Sequence, residues 1–176
     1  MIDRSTPLNQ INQPAPLVVR LIADATSTQG FSTFKAIQSQ DYQRPIRMLW
    51  HPFAPALANS FVRQGADDFE RLVPALRTKL VFHALLTEAS DAGNASDMLE
   101  ALADLGESRS EWPDGLLGLS HRRLQAAAGR IVISHRAALR SGITRGPVVI
   151  FDDRHVIAGN QAPEVYGAML EITGTR

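Results

Sequence analysis

The sequence predicts an α/β fold in which two chain halves build one small central sheet and a helical insertion separates them. Two observations carry this. Apolar runs of strand length, rich in β-branched residues, lie near both ends of the chain, at Leu17 to Ala23, Arg44 to Trp50, Val148 to Phe151 and His155 to Ala158. Between and after them the apolar residues recur at helical spacing.

The first residues, 1–16 (MIDRSTPLNQINQPAP), are polar and read as a leader; 17–176 reads as a single domain, with the helical insertion at about 56–128. Leu17 to Ala23 (LVVRLIA) predicts a buried strand. Thr26, Ser27 and Thr28 then offer side-chain oxygens that can cap a helix, and Phe31, Phe34 and Ile37 follow at helical spacing to about Gln38. Arg44 to Trp50 predicts a second strand, parallel to the first because a helix connects them. Pro52 is expected to end its pairing.

In the insertion, Phe69, Leu72, Val73, Leu76, Leu80 and Ala84 form one stripe, with Pro74 either a kink or the first residue of a new helix. Met98, Leu99, Leu102 and Leu105 predict a short amphipathic helix, and Trp112 to Gly115 is turn chemistry. Ser120 opens a helix expected to end at Gly129, with another over Arg130 to Arg140. A proline-containing loop, Gly142 to Pro147, leads into the hairpin formed by the two C-terminal strands around Asp152 and Asp153. A last helix covers about Pro163 to Ile172.

Charge and composition exclude several functions. Eighteen basic and eighteen acidic residues leave no net field toward nucleic acid or membrane. No apolar run is long enough to span a bilayer, so no membrane partner is expected. The N-terminus lacks the basic start and apolar stretch of a secretory signal, which places the chain in the cytoplasm as written, or in the periplasm if a signal was removed. The five histidines show no metal-ligand spacing, and GxSxG, P-loop and GxGxxG motifs are absent; no metal and no cofactor is expected. The charges are polarised along the chain, however. From Gly115 to Phe151 there are six arginines and no acid, whereas Ala66 to Asp114 carries eleven acids against four bases.

The stretch SGITRGPVVIFDDRHVIAGNQAPEVYGAMLEI (Ser141 to Ile172) resembles the C-terminal half of the bacterial Dsb proteins, of the DsbC and DsbG disulfide-isomerase type. Ala23 to Gly30 (ADATSTQG) is similar to the strand end that precedes Cys-x-x-Cys in that family, and Pro45 to Pro55 resembles its second strand and following loop. The resemblance implies a thioredoxin-like fold, a cis-proline at Pro147, and Ser27 and Gly30 at the positions of the two cysteines. The chain contains no cysteine, so thiol–disulfide exchange, whose nucleophile is a thiolate, is excluded. Replacing both positions, Ser27→Cys with Gly30→Cys, is expected to restore a disulfide.

The candidate binding residues are therefore Ser27, Thr28, Gly30, Gly146 and Pro147, lining a vestigial active-site cleft with no catalytic residue assigned. Ser27 reads either as a ligand group at the positive end of a helix or as a plain cap. Three readings follow. The first is a redox-inactive module that binds a protein or peptide. The second is a glutathione-dependent enzyme resembling the kappa-class glutathione transferases, with Ser27 at the thiolate. The third is a nucleic-acid-associated protein using the arginine-rich 122–145 segment, disfavoured because no aromatic residues are interleaved for base stacking.

Overall fold

The computed structural model describes residues 15–64, 72–93, 97 and 119–174. Most of the leader, Phe69, the Met98 to Leu105 helix and the Trp112 to Gly115 turn lie outside the described residues.

β1 (Leu17–Ala23), α1 (Thr28–Gln38) and β2 (Ile46–Pro52) form a strand–helix–strand unit with the two strands parallel and in register from Leu17 with Ile46 to Ala23 with Pro52. Three helices follow: α2 (Pro55–Gln64), α3 (Pro74–Asp91) and α4 (His121–Arg140). The chain then returns as a hairpin, β3 (Val148–Phe151) and β4 (His155–Ala158), and closes with α5 (Pro163–Gly174). The sheet order is β2-β1-β3-β4, with β3 antiparallel to both its neighbours. This is the mixed α/β architecture that the order of apolar runs implies.

The sheet buries both faces, and the alternation in β1 decides which residue goes where. Leu17, Val19, Leu21 and Ala23 point to one face with Met48, Trp50, Val149, Phe151 and Ile157, where α1, α3 and α5 deliver Phe34, Ile37, Phe82, Leu86, Tyr166 and Leu170. Each such side chain removed from water contributes roughly 1.5–3 kcal/mol before entropy is counted. The opposite face holds a smaller cluster of Ile22, Phe53, Ala138 and Val148, supplied by the C-terminal part of α4. A separate core joins α2, α3 and α4 through Leu57, Phe61, Leu80, Leu124, Ala128 and Ile131.

Two sequence expectations are corrected here. β2 runs two residues past the expected Trp50, and Pro52 is its last paired residue rather than lying beyond it: β2 is an edge strand whose one neighbour is β1, so the missing N–H falls where the sheet can spare it, and the next amide, Phe53 N–H, donates to Ala23 C=O at 2.9 Å. Nor does Gly129 break α4, which runs unbroken over 20 residues. One glycine costs about 1 kcal/mol in a helix, less than the burial of Leu124, Ala128 and Ile131 on one face of the same helix returns. Pro74 takes the first helical position of α3, where its lack of an N–H is harmless.

Candidate functional site

The carboxyl end of β1 is where the predicted residues converge. Immediately after Ala23 the chain turns on Asp24, whose carboxylate accepts from Thr26 N–H at 3.0 Å and Thr26 Oγ1 at 2.9 Å. This local turn delivers Ser27 in extended backbone, φ −86° and ψ 132°, as the N-cap of α1. Its hydroxyl is fully engaged. Ser27 Oγ donates to Asp24 C=O at 3.0 Å and accepts from Gly30 N–H at 3.0 Å. Thr28, the first residue of α1, is exposed.

Gly30 is buried because α1 starts directly against the strand. A Cβ on Gly30 would lie 2.9 Å from Ser27 Oγ, 3.0 Å from Ala23 Cβ and 3.0 Å from Asp24 C=O. Only a residue without a Cβ permits that approach. The same crowding revises the expectation for the paired cysteine replacement, since a Cβ at position 30 forces the end of β1 or the cap to move.

The proline loop reaches the same strand end from the other side. Gly142, at φ +77°, closes α4, while Ile143 N–H donates back to Ala138 C=O at 2.8 Å and its side chain packs against the Ala138 cluster. This fixes the path of Thr144, Arg145 and Gly146 into the cis Gly146–Pro147 peptide and β3. A Cβ on Gly146 would stand 3.3 Å from Ile22 C=O, 3.3 Å from the Phe53 ring and 3.7 Å from Ala23 Cα. Gly30 and Gly146 thus meet at one residue, Ala23, from opposite sides. Pro147 itself is buried, its carbonyl accepting from Gly159 N–H at 2.8 Å. Among the described residues, no hydrogen bond engages the backbone N–H or C=O of Thr144, Arg145 or Gly146. Thr144 and Arg145 are exposed and Gly146 is half-buried.

A polar cluster that sequence reasoning missed adjoins the α1 cap. Lys79 Nζ on α3 lies 2.5 Å from Asp24 Oδ2, and the fully buried His83, one turn further along α3, places Nε2 3.5 Å from Asp24 Oδ1 and 3.3 Å from the Ala25 amide. The amide and the carboxylate compete for that nitrogen, since it accepts from one only when bare and donates to the other only when protonated. Burial opposes charge on His83 and pushes its pKa down, outweighing the raising effect of Asp24. Burial alone would raise the Asp24 carboxyl, but hydrogen bonds from His83, Lys79 and the Thr26 amide hold it well below the ordinary carboxylate range. His83 Nδ1 is buried without a partner among the described residues. The sequence held part of the signal, since Lys79 and His83 stand four apart on a helix and hence on one face, but nothing in it tied that face to Asp24.

Behind the proline loop, the Phe53 ring lies 5.2 Å from that of His135 on α4, a histidine whose pKa burial also lowers. The arginine-rich helix divides in two. Arg123 pairs with Glu88 and Arg130 with Asp91, tying α4 to the acidic face of α3. A shallow pocket on this seam is lined by Ala84, Thr87, Glu88, Arg123 and Arg130 among others. Among the described residues no helix is long and apolar enough to cross a membrane, and no group of three histidine, cysteine, aspartate or glutamate side chains could hold a metal ion.

No protein-family profile and no curated protein matches the chain. Among solved structures it is similar to a probable DsbA oxidoreductase from Streptomyces coelicolor, at 16% identity over 91% of this chain and 91% of that one, with a TM-score of 0.57. The likeness shows a thioredoxin-like fold of the DsbA kind.

Proposed function

We propose that this thioredoxin-like chain, with Ser27 and Gly30 in place of two cysteines, is a redox-inactive module that binds an extended peptide or a protein segment at the loop preceding Pro147. The observation that carries the reading is the unengaged backbone of Thr144, Arg145 and Gly146 beside the end of β1. Such groups pair with an added strand, which supplies its own N–H and C=O in return. The absence of cysteine removes thiol chemistry from the same place.

The Ser27 hydrogen bonds favour this reading over a glutathione-dependent enzyme. A hydroxyl stabilises a thiolate by donating its one proton, and Ser27 gives that proton to Asp24 C=O. Redirecting it would break the turn that sets the start of α1. The finer likeness to the disulfide-isomerase type rests on the sequence of Ser141 to Ile172, and we keep it as a proposal about descent.

The test is amide hydrogen exchange by NMR with short random-sequence peptides added. The amides of Thr144, Arg145 and Gly146 exchange fast in the free protein and become protected on binding. Peptides methylated at every backbone nitrogen lose the effect. If no peptide protects these amides, the site does not work in this way; the untreated protein is also expected to show no insulin reduction.

A further inference from the structure

We infer that the segment taken by this site is acidic, because Arg136, Arg140 and Arg145 form a cationic strip that leads to the open backbone at Gly146. The inference rests on the proposed peptide site and specifies its substrate class. Its basis is the contrast between two sets of arginines in one stretch of chain. Arg123 and Arg130 are neutralised by Glu88 and Asp91 of α3. Arg136, Arg140 and Arg145 are exposed, and among the described residues no carboxylate pairs with them.

Their placement is directional. Arg136 and Arg140 are four apart on α4, so they share its solvent side about 6 Å apart along the axis. Arg145 follows five residues later, next to Gly146. Between Gly115 and Phe151 the sequence provides no acidic side chain to neutralise them. The nearest acids in sequence after the loop are Asp152 and Asp153, and Asp153 is already paired with Arg20. Arg140 can serve the negative end of α4; Arg136, a turn earlier, and Arg145, beyond the helix, are not in that position.

A peptide is favoured over a nucleic acid for two reasons. Three consecutive residues beside the strip leave backbone groups unengaged among the described residues, which the main chain of a peptide can pair with, and the segment 115–145 contains no Phe, Tyr or Trp on which a base could stack. The recognised chemistry is thus an extended chain that pairs through its backbone and carries aspartate or glutamate toward α4.

Fluorescence polarisation with two labelled peptides identical except for Glu→Gln exchange tests this directly. Each exposed arginine–carboxylate pair is worth about two-fold in binding, so three make the acidic peptide about ten-fold tighter at low salt. That advantage shrinks as salt screens the charges. The combined variant Arg136→Gln and Arg140→Gln cuts the advantage to about two-fold, leaves the affinity of the neutral peptide unchanged and, being confined to exposed side chains, keeps the wild-type melting temperature. Equal binding of both peptides to the native protein overturns the inference and leaves the peptide site standing. Binding of neither peptide removes the site and the inference together. A single-stranded oligonucleotide that binds more tightly than the acidic peptide, and is weakened in the Arg136→Gln, Arg140→Gln variant, overturns the inference in favour of a nucleic-acid surface.

Discussion

Replacing Gly30 by alanine tests the geometry at its tightest point, because helix propensity and packing predict opposite signs. In a helix unconstrained by neighbours, Gly→Ala stabilises by up to about 1 kcal/mol. At Gly30 the new methyl would sit 2.9 Å from Ser27 Oγ and 3.0 Å from both Ala23 Cβ and Asp24 C=O. Two of these three belong to the end of a hydrogen-bonded central strand and do not yield easily. Overpacking of this kind costs about 1–3 kcal/mol, and turning Ser27 aside to make room loses a cap worth about 0.5–2 kcal/mol. After the propensity gain the net destabilisation is about 1–3 kcal/mol, a fall in melting temperature of roughly 3–10 °C for a chain of this size.

Gly129 is the internal control. It also lies within a helix, but a Cβ there meets nothing within 4 Å. Gly129→Ala should therefore stabilise by about 0.5–1 kcal/mol. Thermal and urea unfolding followed by far-UV circular dichroism reads both variants. In the double variant Ser27→Ala with Gly30→Ala, removing Oγ relieves the nearest contact, so the combined loss is smaller than the sum of the single losses. If Gly30→Ala stabilises as Gly129→Ala does, α1 does not start against Ala23 and the reading of the site around it is wrong.

Further outcomes follow from the same contacts. Ser27→Ala should cost about 1 kcal/mol in urea unfolding but Ser27→Gly only a few tenths; equal and negligible losses would show that the hydroxyl does not cap α1. Lys79→Met should cost about 1–3 kcal/mol and move the Asp24 carboxyl titration upward by NMR, since a largely buried carboxylate loses its cation. Across the α3–α4 seam, Arg123→Gln and Arg130→Gln should each cost less than about 1 kcal/mol, whereas Ile131→Ala, in the core beneath, should cost about 2–5 kcal/mol. Burial lowers the pKa of His51, helped by Arg20, and of His83 and His135, so the folded state takes up these protons less readily than the unfolded chain, which is protonated there near pH ~6.5. Stability is thus full above that pH and falls on acidification, by up to about 1.4 kcal/mol per pH unit for each histidine. A second loss begins below about pH 4, where the unfolded chain protonates Asp24 while the folded state resists it. Urea midpoints unchanged between neutral pH and about pH 5 would contradict the buried-histidine assignment.

What was legible in the sequence was periodic. Apolar runs and β-branching located β1, β3 and β4, and cap residues located the starts of α1 and α4, because those signals are written in consecutive residues. The misjudged boundaries depended on position in the fold. Pro52 is tolerated because β2 lies at the sheet edge, and Gly129 because α4 has a buried face on both sides of it; neither fact is local. The site divided in the same way. Ser27 as a cap was one of two readings the sequence left open, and its hydrogen bonds to Asp24 C=O and Gly30 N–H decide for it, whereas the crowding at Gly30 shows only in the distances around it. Asp24, Lys79 and His83 come together across more than fifty residues of sequence, so only the packing of α3 against the end of β1 revealed them.

The loss of cysteine has a structural consequence beyond the loss of a nucleophile. A thiolate at a helix start is stabilised by the dipole and the N–H groups of the first turn, which point toward the anion. Serine at that place is a strong acceptor and a donor at once. Ser27 satisfies the Gly30 amide itself and returns its proton to Asp24 C=O, so part of the helix-end field is answered within the chain. Asp24, in turn, is neutralised by Lys79 rather than left facing the cleft. The Ser27 hydroxyl is thus tied up in the turn that starts α1, whereas the backbone of Thr144 to Gly146 is unengaged among the described residues. A partner that binds as proposed pairs with that main chain, so backbone methylation of the peptide, and not substitution of Ser27, is the decisive perturbation of binding.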